Sequence, residues 1–408
     1  MSLTDDRSVD DYRHIVGDEV IAELFRQSRP LQGKKILNIN STYQGGGVGE
    51  MLWSIIPLMN DLGIDYGWRV IHGTPDFFSV TKKWHNALQG EGLNISDDEK
   101  DIYRQINQIF ARFTHIHHDV VTIHDPQPLP LIKYYRKHQP WIWRCHIDIS
   151  TPSMAPWDYL KKYIIRYDQV ILSSERFARE DLPSDKALIP PGIDPLDLKN
   201  RDLENEEIQQ QLHNYGIQTD KPIISQVSRF DTWKDPHGVV KVFEKVKQEV
   251  DCQLVLLGSF ASDDPEGEPV YRNLLEETEQ YDDIMVINKE SDILVNALQR
   301  ASSVVLQKSL REGFGLTVTE ALWKGTPVVA SNVGGIPLQI KDGETGFIAE
   351  PHDYEAFAEK VVTLLQNDDL AAKIGNQGKQ HVRENFLITR LMLDWIRELT
   401  RVLASTRC

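Results

Sequence analysis

The sequence predicts an α/β protein made of two doubly wound lobes. Three observations point there: compact runs rich in β-branched residues alternate with helical patterns, a Pro190-Pro191-Gly192-Ile193-Asp194 break divides that alternation into two series, and a glycine-rich turn directly follows the first run. A length of 408 residues exceeds one ordinary domain at a prior of roughly 150 residues each. The expected division is 1–215 and 216–386, with a terminal helix over 387–408 folding back onto the first lobe.

In order, residues 1–30 carry a helical pattern (Val20, Ile21, Leu24, Phe25), and Lys34 to Asn40 reads as the first strand. It leads into Tyr43-Gln44-Gly45-Gly46-Gly47-Val48-Gly49 and a helix from about Glu50 to Leu62, the start of a doubly wound sheet. Strands are expected at Trp68–His72, Val120–His124, Trp141–His146 and Gln169–Ser173, with a helix over Pro156–Tyr167. Asp197 to Gln211 reads as a charged helical connection between the lobes. The second series places strands at Pro222–Ser228, Gln253–Gly258, Ile284–Asn288, Ser303–Gln307 and Pro327–Ala330. The final helix, Leu387 to Leu403, aligns Leu391, Met392, Trp395, Ile396 and Leu399 on one face.

Composition excludes several classes. A formal charge of −16 argues against a nucleic-acid or anionic-membrane surface, since each needs a basic face. Cys145, Cys252 and Cys408 are too few and too widely spaced for a disulfide framework or a zinc cluster. No run approaches the ~18 apolar residues of a membrane span, and the acidic N-terminus lacks an apolar leader, so a cytoplasmic, unanchored protein is expected. The glycine turn fails the dinucleotide fingerprint, because Glu50 stands where the third glycine belongs.

The residues that carry chemistry cluster after strands. In Lys308 to Trp323 (KSLREGFGLTVTEALW), Glu312 and Glu320 lie eight residues apart across a turn in which Gly313 and Gly315 flank Phe314. A helix starting near Leu316 and Thr317 offers unpaired amides and a positive dipole end to a phosphate. Glu320, one turn in, suits sugar hydroxyls; two solvated glutamates are the plain alternative. Arg229 and Lys234 follow the first strand of the second lobe, where two cations would stabilise a diphosphate leaving group, or else form a solvated pair. His146 either contacts a polar ligand or is a partly buried, hydrogen-bonded residue, and His124-Asp125-Pro126-Gln127 directs polar groups to the same crevice. The aromatic and polar stretch Phe77 to Asn86, with Lys82, suits a sugar or an ordinary helix start. His115, His117 and His118 lack accompanying carboxylates or cysteines at ligand spacing, and no Asp-x-Asp triplet occurs, so no metal site is expected.

Together these residues resemble the retaining GT-B glycosyltransferases of the large family that includes sucrose and sucrose-phosphate synthases and bacterial mannosyltransferases. The similarity rests on EGFGLTVTE, on Gly325-Thr326-Pro327-Val328-Val329-Ala330 with Gly334-Gly335, on Arg229 and Lys234, on the Gly45–Gly49 loop and on Pro191-Gly192-Ile193-Asp194. It implies two Rossmann-like lobes facing a central cleft, with acceptor on the first and nucleotide sugar on the second. By that resemblance Glu312 contacts the donor sugar and Glu320 the nucleotide ribose. Gly313, Phe314, Gly315, Leu316 and Thr317 hold sugar and phosphate through amides, Gly47 approaches the β-phosphate, and Ile287 borders the base. His146 lies by the reacting carbon, joining Arg229, Lys234 and Glu312 as catalytic residues, and the acceptor meets Gly46, Lys82, Asp125 and Gln127. The phrases FFSVTKKWHNALQG, HDPQPLPL, WRCHIDIS and VSRFDTWKDPHGV are similar to a branch of the family that joins the glucose of a nucleoside-diphosphate glucose to free glucose, forming trehalose reversibly. The resemblance implies no resident cofactor, leaves Mg²⁺ a stimulant at most, and is compatible with a homodimer. The rival readings are a different sugar acceptor, a sugar-nucleotide 2-epimerase, or a two-domain sugar-binding protein.

Overall fold

The structure is a computed structural model that describes residues 7–43, 46–260 and 267–405. Gln44, Gly45 and Cys408 therefore lie outside the described residues. The chain divides into two compact units, the first running to Pro191 and taking in the last helix, the second spanning Gly192 to Leu387.

In the first unit α1 (Asp18–Ser28) precedes β1 (Lys35–Asn40), α2 (Gly47–Asp61), β2 (Asp65–Val70), α3 (Pro75–Leu88) and α4 (Asp97–Phe113). Then come β3 (Val120–His124), β4 (Trp141–Arg144), α5 (Met154–Ile164), β5 (Gln169–Leu172) and β6 (Asp185–Leu188). The sheet is wholly parallel in the order β2-β1-β3-β4-β5-β6, so the winding reverses between β1 and β3. Every residue of β3, β4 and β5 is buried, which is why those strands read as continuous apolar runs. Phe77 and Trp84 of α3 pack with Tyr103 of α4, the latter two rings 5.3 Å apart.

The second unit holds α6 (Asn205–Asn214), β7 (Ile223–Val227), α7 (Pro236–Lys247), β8 (Gln253–Gly258), α8 (Gly267–Thr278), β9 (Ile284–Asn288) and α9 (Asp292–Ala301). It continues with β10 (Val304–Gln307), α10 (Leu316–Trp323), β11 (Val328–Ser331), α11 (Ile336–Gln339), β12 (Phe347–Ala349), α12 (Tyr354–Leu365) and α13 (Asp368–Asn385). Its parallel sheet runs β12-β11-β10-β7-β8-β9, reversing between β7 and β10. Ligands of open α/β sheets bind outside the carboxyl ends of the strands at such a reversal. The last helix, α14 (Ile388–Ser405), buries Leu391, Met392, Trp395, Ile396 and Leu399 in the first unit, where Arg401 donates to Gln169 and Arg390 to the Pro191 carbonyl at 2.7 Å.

Three expectations need correction. Residues 192–215 belong to the second unit, because Leu212 packs with Leu294 and Leu298, and Asn296 Nδ2 donates at 2.8 Å to the carbonyls of Leu198 and Arg201. Asp197 does not begin a helix. Its carboxylate accepts from Lys199 N at 3.0 Å, as Asp194 does from Leu196 N at 2.9 Å, and such local turns compete with helix formation until α6. The second strand is Asp65–Val70, not Trp68–His72, since the ladder with β1 runs from Lys35↔Asp65 to Asn40↔Val70. β6 and β12 escaped notice; both are edge strands, and β6 is mostly exposed.

Within the second unit, α13 crosses the turn after α10 at Gly375. A Cβ there would lie 2.0 Å from the Gly325 carbonyl oxygen. Gly375→Ala gains about 1 kcal/mol of helix propensity, whereas the overpacking costs about 1–3 kcal/mol. The expected net result is a lower midpoint in urea denaturation; a raised midpoint would contradict the close packing.

Candidate functional site

The loops after β7 and β10 meet at the reversal of the second sheet. Gln226, a buried polar residue of β7, holds them together: its Nε2 donates to the Lys234 carbonyl at 2.9 Å and its Oε1 accepts from Lys308 N at 2.9 Å. Leu310 N adds a bond to the Trp233 carbonyl at 2.7 Å. Beneath them the fully buried Lys308 pairs with Asp235, its ammonium 4.6 Å from the Tyr354 ring centre. Burial pushes the Lys308 ammonium below its ordinary range, against the pull of Asp235.

This frame presents Glu312. Its Oε2 receives Lys234 Nζ, Ser309 Oγ at 3.2 Å and Gln307 Nε2 at 3.4 Å, while Gln307 Oε1 accepts from Thr317 Oγ1 at 2.7 Å. The carboxylate is thus oriented by an ammonium, a hydroxyl and an amide, and Glu312 is 8% exposed. Gly334, at φ +55°, lies against the Glu312 carbonyl, where a Cβ would come within 1.7 Å. Gly313 accepts from Gly335 N at 3.2 Å, Phe314 accepts from Gln339 Nε2 at 2.5 Å, and Gly315 is left-handed at the start of α10. Leu316 and Thr317 open that helix, with Glu320 buried one turn in.

Lys234 and Glu312 are therefore in direct contact. Arg229 Nη2 lies 3.7 Å from Asp231 Oδ2 and stays partly exposed on the same post-β7 loop. Ile287 sits on the edge strand β9, separated from the reversal by β8.

The first unit has its own polar group at its own reversal. Asp125, left-handed at φ +62°, ends β3; its Oδ1 accepts from His146 N at 2.8 Å. The Asp125–Gln127 turn is pinned from outside by Trp143 Nε1 on the Asp125 carbonyl at 3.0 Å, the Tyr103 hydroxyl on Pro126 and Asn107 Nδ2 on the Gln127 carbonyl at 3.1 Å. The buried Gln127 Oε1 has no hydrogen-bond partner among the described residues, an unusual condition for a buried acceptor. His124 Nδ1 lies 3.0 Å from His146 Nε2, and His124 Nε2 lies 3.1 Å from Asn38 Oδ1. Burial, then the nearby Arg144 guanidinium, pushes His124 down to about 3 and His146 well below the ordinary imidazole range. Burial raises Asp125 to about 6, opposed by the His146 amide and Arg144. Gly46 and Gly47 open α2 on the turn after β1, whereas the half-buried Lys82 projects from α3.

Sequence reasoning missed Asn38, Gln226, Gln307, Ser309 and the Lys308–Asp235 pair. A signal existed: Asn38, Gln226 and Gln307 are buried polar residues inside mostly apolar strands, where each must find a partner.

Residues 38–179 match the family model for the trehalose synthase N-terminal domain, and residues 207–381 match that for glycosyl transferases group 1. Trehalose synthase of Thermococcus litoralis is 45% identical over 391 residues, 94% of each chain. The chain belongs to the trehalose synthase family of GT-B glycosyltransferases. Within reach of the family lies trehalose phosphorylase of Grifola frondosa, 32% identical over 94% of this chain and 59% of that protein. Among solved structures, sucrose-phosphate synthase from Thermosynechococcus elongatus superposes with a TM-score of 0.70 over 91% of this chain and 100% of that one; at 20% identity it speaks to the two-Rossmann fold alone. No helix among the described residues is long and apolar enough to cross a membrane.

Asp125 supplies a prediction. Its folded pKa lies above the ordinary carboxylate value of 3.8, so the native state holds more protons than the unfolded chain between about pH 4 and 6. Stability therefore falls as pH rises through that window. Asp125→Asn keeps the acceptor for His146 N and tolerates the left-handed backbone. It should gain on the order of 1 kcal/mol at pH 7.5, since Asp125 keeps partial exposure, and nothing at pH 4. Urea denaturation at both values checks this, and an equal gain at pH 4 would sink the assignment.

Proposed function

We propose that the protein transfers glucose from a nucleoside-diphosphate glucose (ADP- or UDP-glucose) to free glucose, forming trehalose reversibly and with retention of anomeric configuration. The observation that carries the reading is the Lys234–Glu312 cluster at the β7/β10 reversal, in a chain 45% identical to a trehalose synthase. The second unit holds the donor: Glu312, locked by Gln307 and Ser309, faces sugar hydroxyls, and Lys234 and Arg229 meet the diphosphate. The helix dipole and first amides of α10 add to the field at the phosphate, and Glu320 takes the ribose. The first unit presents Asp125, His146 and the unpartnered Gln127 oxygen to sugar hydroxyls, with Gly46 and Lys82 at the acceptor.

The chemistry follows from charge. As the glycosidic C–O bond to the diphosphate breaks, negative charge grows on the leaving oxygen, and preorganised cations there stabilise the transition state more than the ground state. The departing phosphate accepts the acceptor hydroxyl's proton on the face where the new bond forms, which preserves configuration. No metal enters this scheme.

A second reading is phosphorolysis, favoured by the similarity to a trehalose phosphorylase over 94% of this chain. Incubating the protein and glucose with ADP-glucose, UDP-glucose or glucose 1-phosphate, in EDTA, and typing the product by anomeric coupling separates the cases. α,α-Trehalose with release of nucleoside diphosphate is expected. Product from glucose 1-phosphate alone points to phosphorolysis, and an epimerised sugar with no disaccharide overturns the transferase reading. Arg229→Ala and Lys234→Ala should each lower kcat by about 10²; near-normal turnover in both would remove them from the leaving-group role.

A further inference from the structure

We propose that Asn38 and His124 are positioning residues for His146: they fix its imidazole with the proton on Nε2, leaving Nδ1 to accept a hydrogen bond from a sugar hydroxyl. The sugar in that statement rests on the transferase reading above; the tautomer does not.

The relay of hydrogen bonds starts in β1. Asn38 is fully buried and its Nδ2 donates to the Gly67 carbonyl at 3.2 Å. A carbonyl only accepts, so turning the amide over would set two acceptors face to face. Asn38 Oδ1 must therefore be the atom 3.1 Å from His124 Nε2, and that nitrogen must carry a proton. A neutral imidazole has one N–H, which leaves His124 Nδ1 bare. The bare Nδ1 lies 3.0 Å from His146 Nε2, so the proton between the rings belongs to His146. The same rule then leaves His146 Nδ1 bare. That nitrogen has no partner among the described residues, and the His146 ring is partly exposed.

Both rings must be neutral for this relay to hold. The wholly buried Arg144 supplies the reason. Its Nη2 serves Ser173 and Ile189, and its charge opposes a second cation on either imidazole. Asp125, the nearby carboxylate, is itself engaged by the His146 amide. The two ring planes are inclined by only 14°, and Trp395 packs against His124 at 6.5 Å between ring centres, which limits reorientation. Three neighbouring strands thus hand one orientation along Asn38, His124 and His146 to a nitrogen at the carboxyl end of the sheet. A second-layer partner that fixes a histidine tautomer is a recurrent device where the outer nitrogen has work to do.

The test has two arms. Long-range ¹⁵N–¹H correlation spectra of the full-length, ¹⁵N-histidine-labelled protein at pH 7, with peaks assigned by His124→Phe and His146→Ala, should show protonated Nε2 and bare Nδ1 at both positions. A protonated Nδ1 on His146 overturns the proposal whether or not the protein makes trehalose. In the kinetic arm, His124→Phe keeps ring volume and removes the acceptor, and should lower kcat/KM about tenfold, the scale of one hydrogen bond. Across monodeoxy glucoses used as donor and as acceptor, that penalty should vanish for the same analogue that abolishes the His146→Ala penalty. A penalty equal for every analogue means a merely structural role and overturns the assignment. If His124→Phe fails to fold, the wild-type spectrum decides alone.

Discussion

The second unit is organised around a buried ion pair. Lys308 is fully enclosed, and taking an ammonium out of water costs several kcal/mol unless a partner and good geometry offset it. Asp235 is that partner, and it is left-handed at φ +46°, itself a strained state for a residue with a side chain. The same carboxylate caps α7 by accepting from Gly238 N at 3.0 Å. One residue thus ends the post-β7 loop, starts the next helix and neutralises the cation that follows β10. Gln226 ties the same two loops through its amide, so Lys234 and Glu312 arrive at the reversal on backbones fixed from below. A hydrophobic pair of similar volume would stabilise the unit as well or better, but it would not fix which loop faces which.

How much of this was legible depended on whether the information was local. The interior strands were, because a strand buried on both faces must be a compact apolar run, and β3 and β8 lie where that pattern places them. The edge strands β6 and β12 were not, since an edge need not be apolar. The Lys234–Glu312 cluster was half legible: Glu312, Gly313, Gly315 and Thr317 lie within one turn and helix start, and Lys234 shares its loop with a second cation, Arg229. Gln307 and Ser309, which orient Glu312, were passed over because an amide and a hydroxyl carry no charge to notice. In the first unit the Asn38–His124–His146 chain depends on parallel register across β1, β3 and β4, which no spacing in one sequence reveals.

Both units place backbone strain at the same kind of point. Asp125 and Asp235, the non-glycine residues with positive φ among those described, each follow a strand that borders a sheet reversal. In each case the aspartate serves the loop of a neighbouring strand: Asp125 bonds His146 after β4, and Asp235 pairs with Lys308 after β10. A left-handed residue turns the chain sharply enough to bring its carboxylate back to the sheet's end, and the remaining hydrogen bonds hold the turn against its strain.

Why position 234 holds a lysine follows from the same geometry. Lys234 Nζ already contacts Glu312, so under the proposed donor binding a diphosphate at that ammonium shares it with a carboxylate. An ammonium carries three rotatable donors on a flexible stem and can serve a carboxylate and a phosphate at once, whereas a guanidinium fork engaged by one carboxylate is committed to its plane. Ser309 and Gln307 hold Glu312 independently of Lys234, so in the proposed complex the carboxylate keeps its direction toward sugar hydroxyls when a phosphate draws on the ammonium. Arg229, partly exposed and 3.7 Å from Asp231, supplies the second positive charge without that double duty. The protein carries a net charge of −16, so in the proposed reaction these two local cations, rather than any general field, are what balances the leaving group.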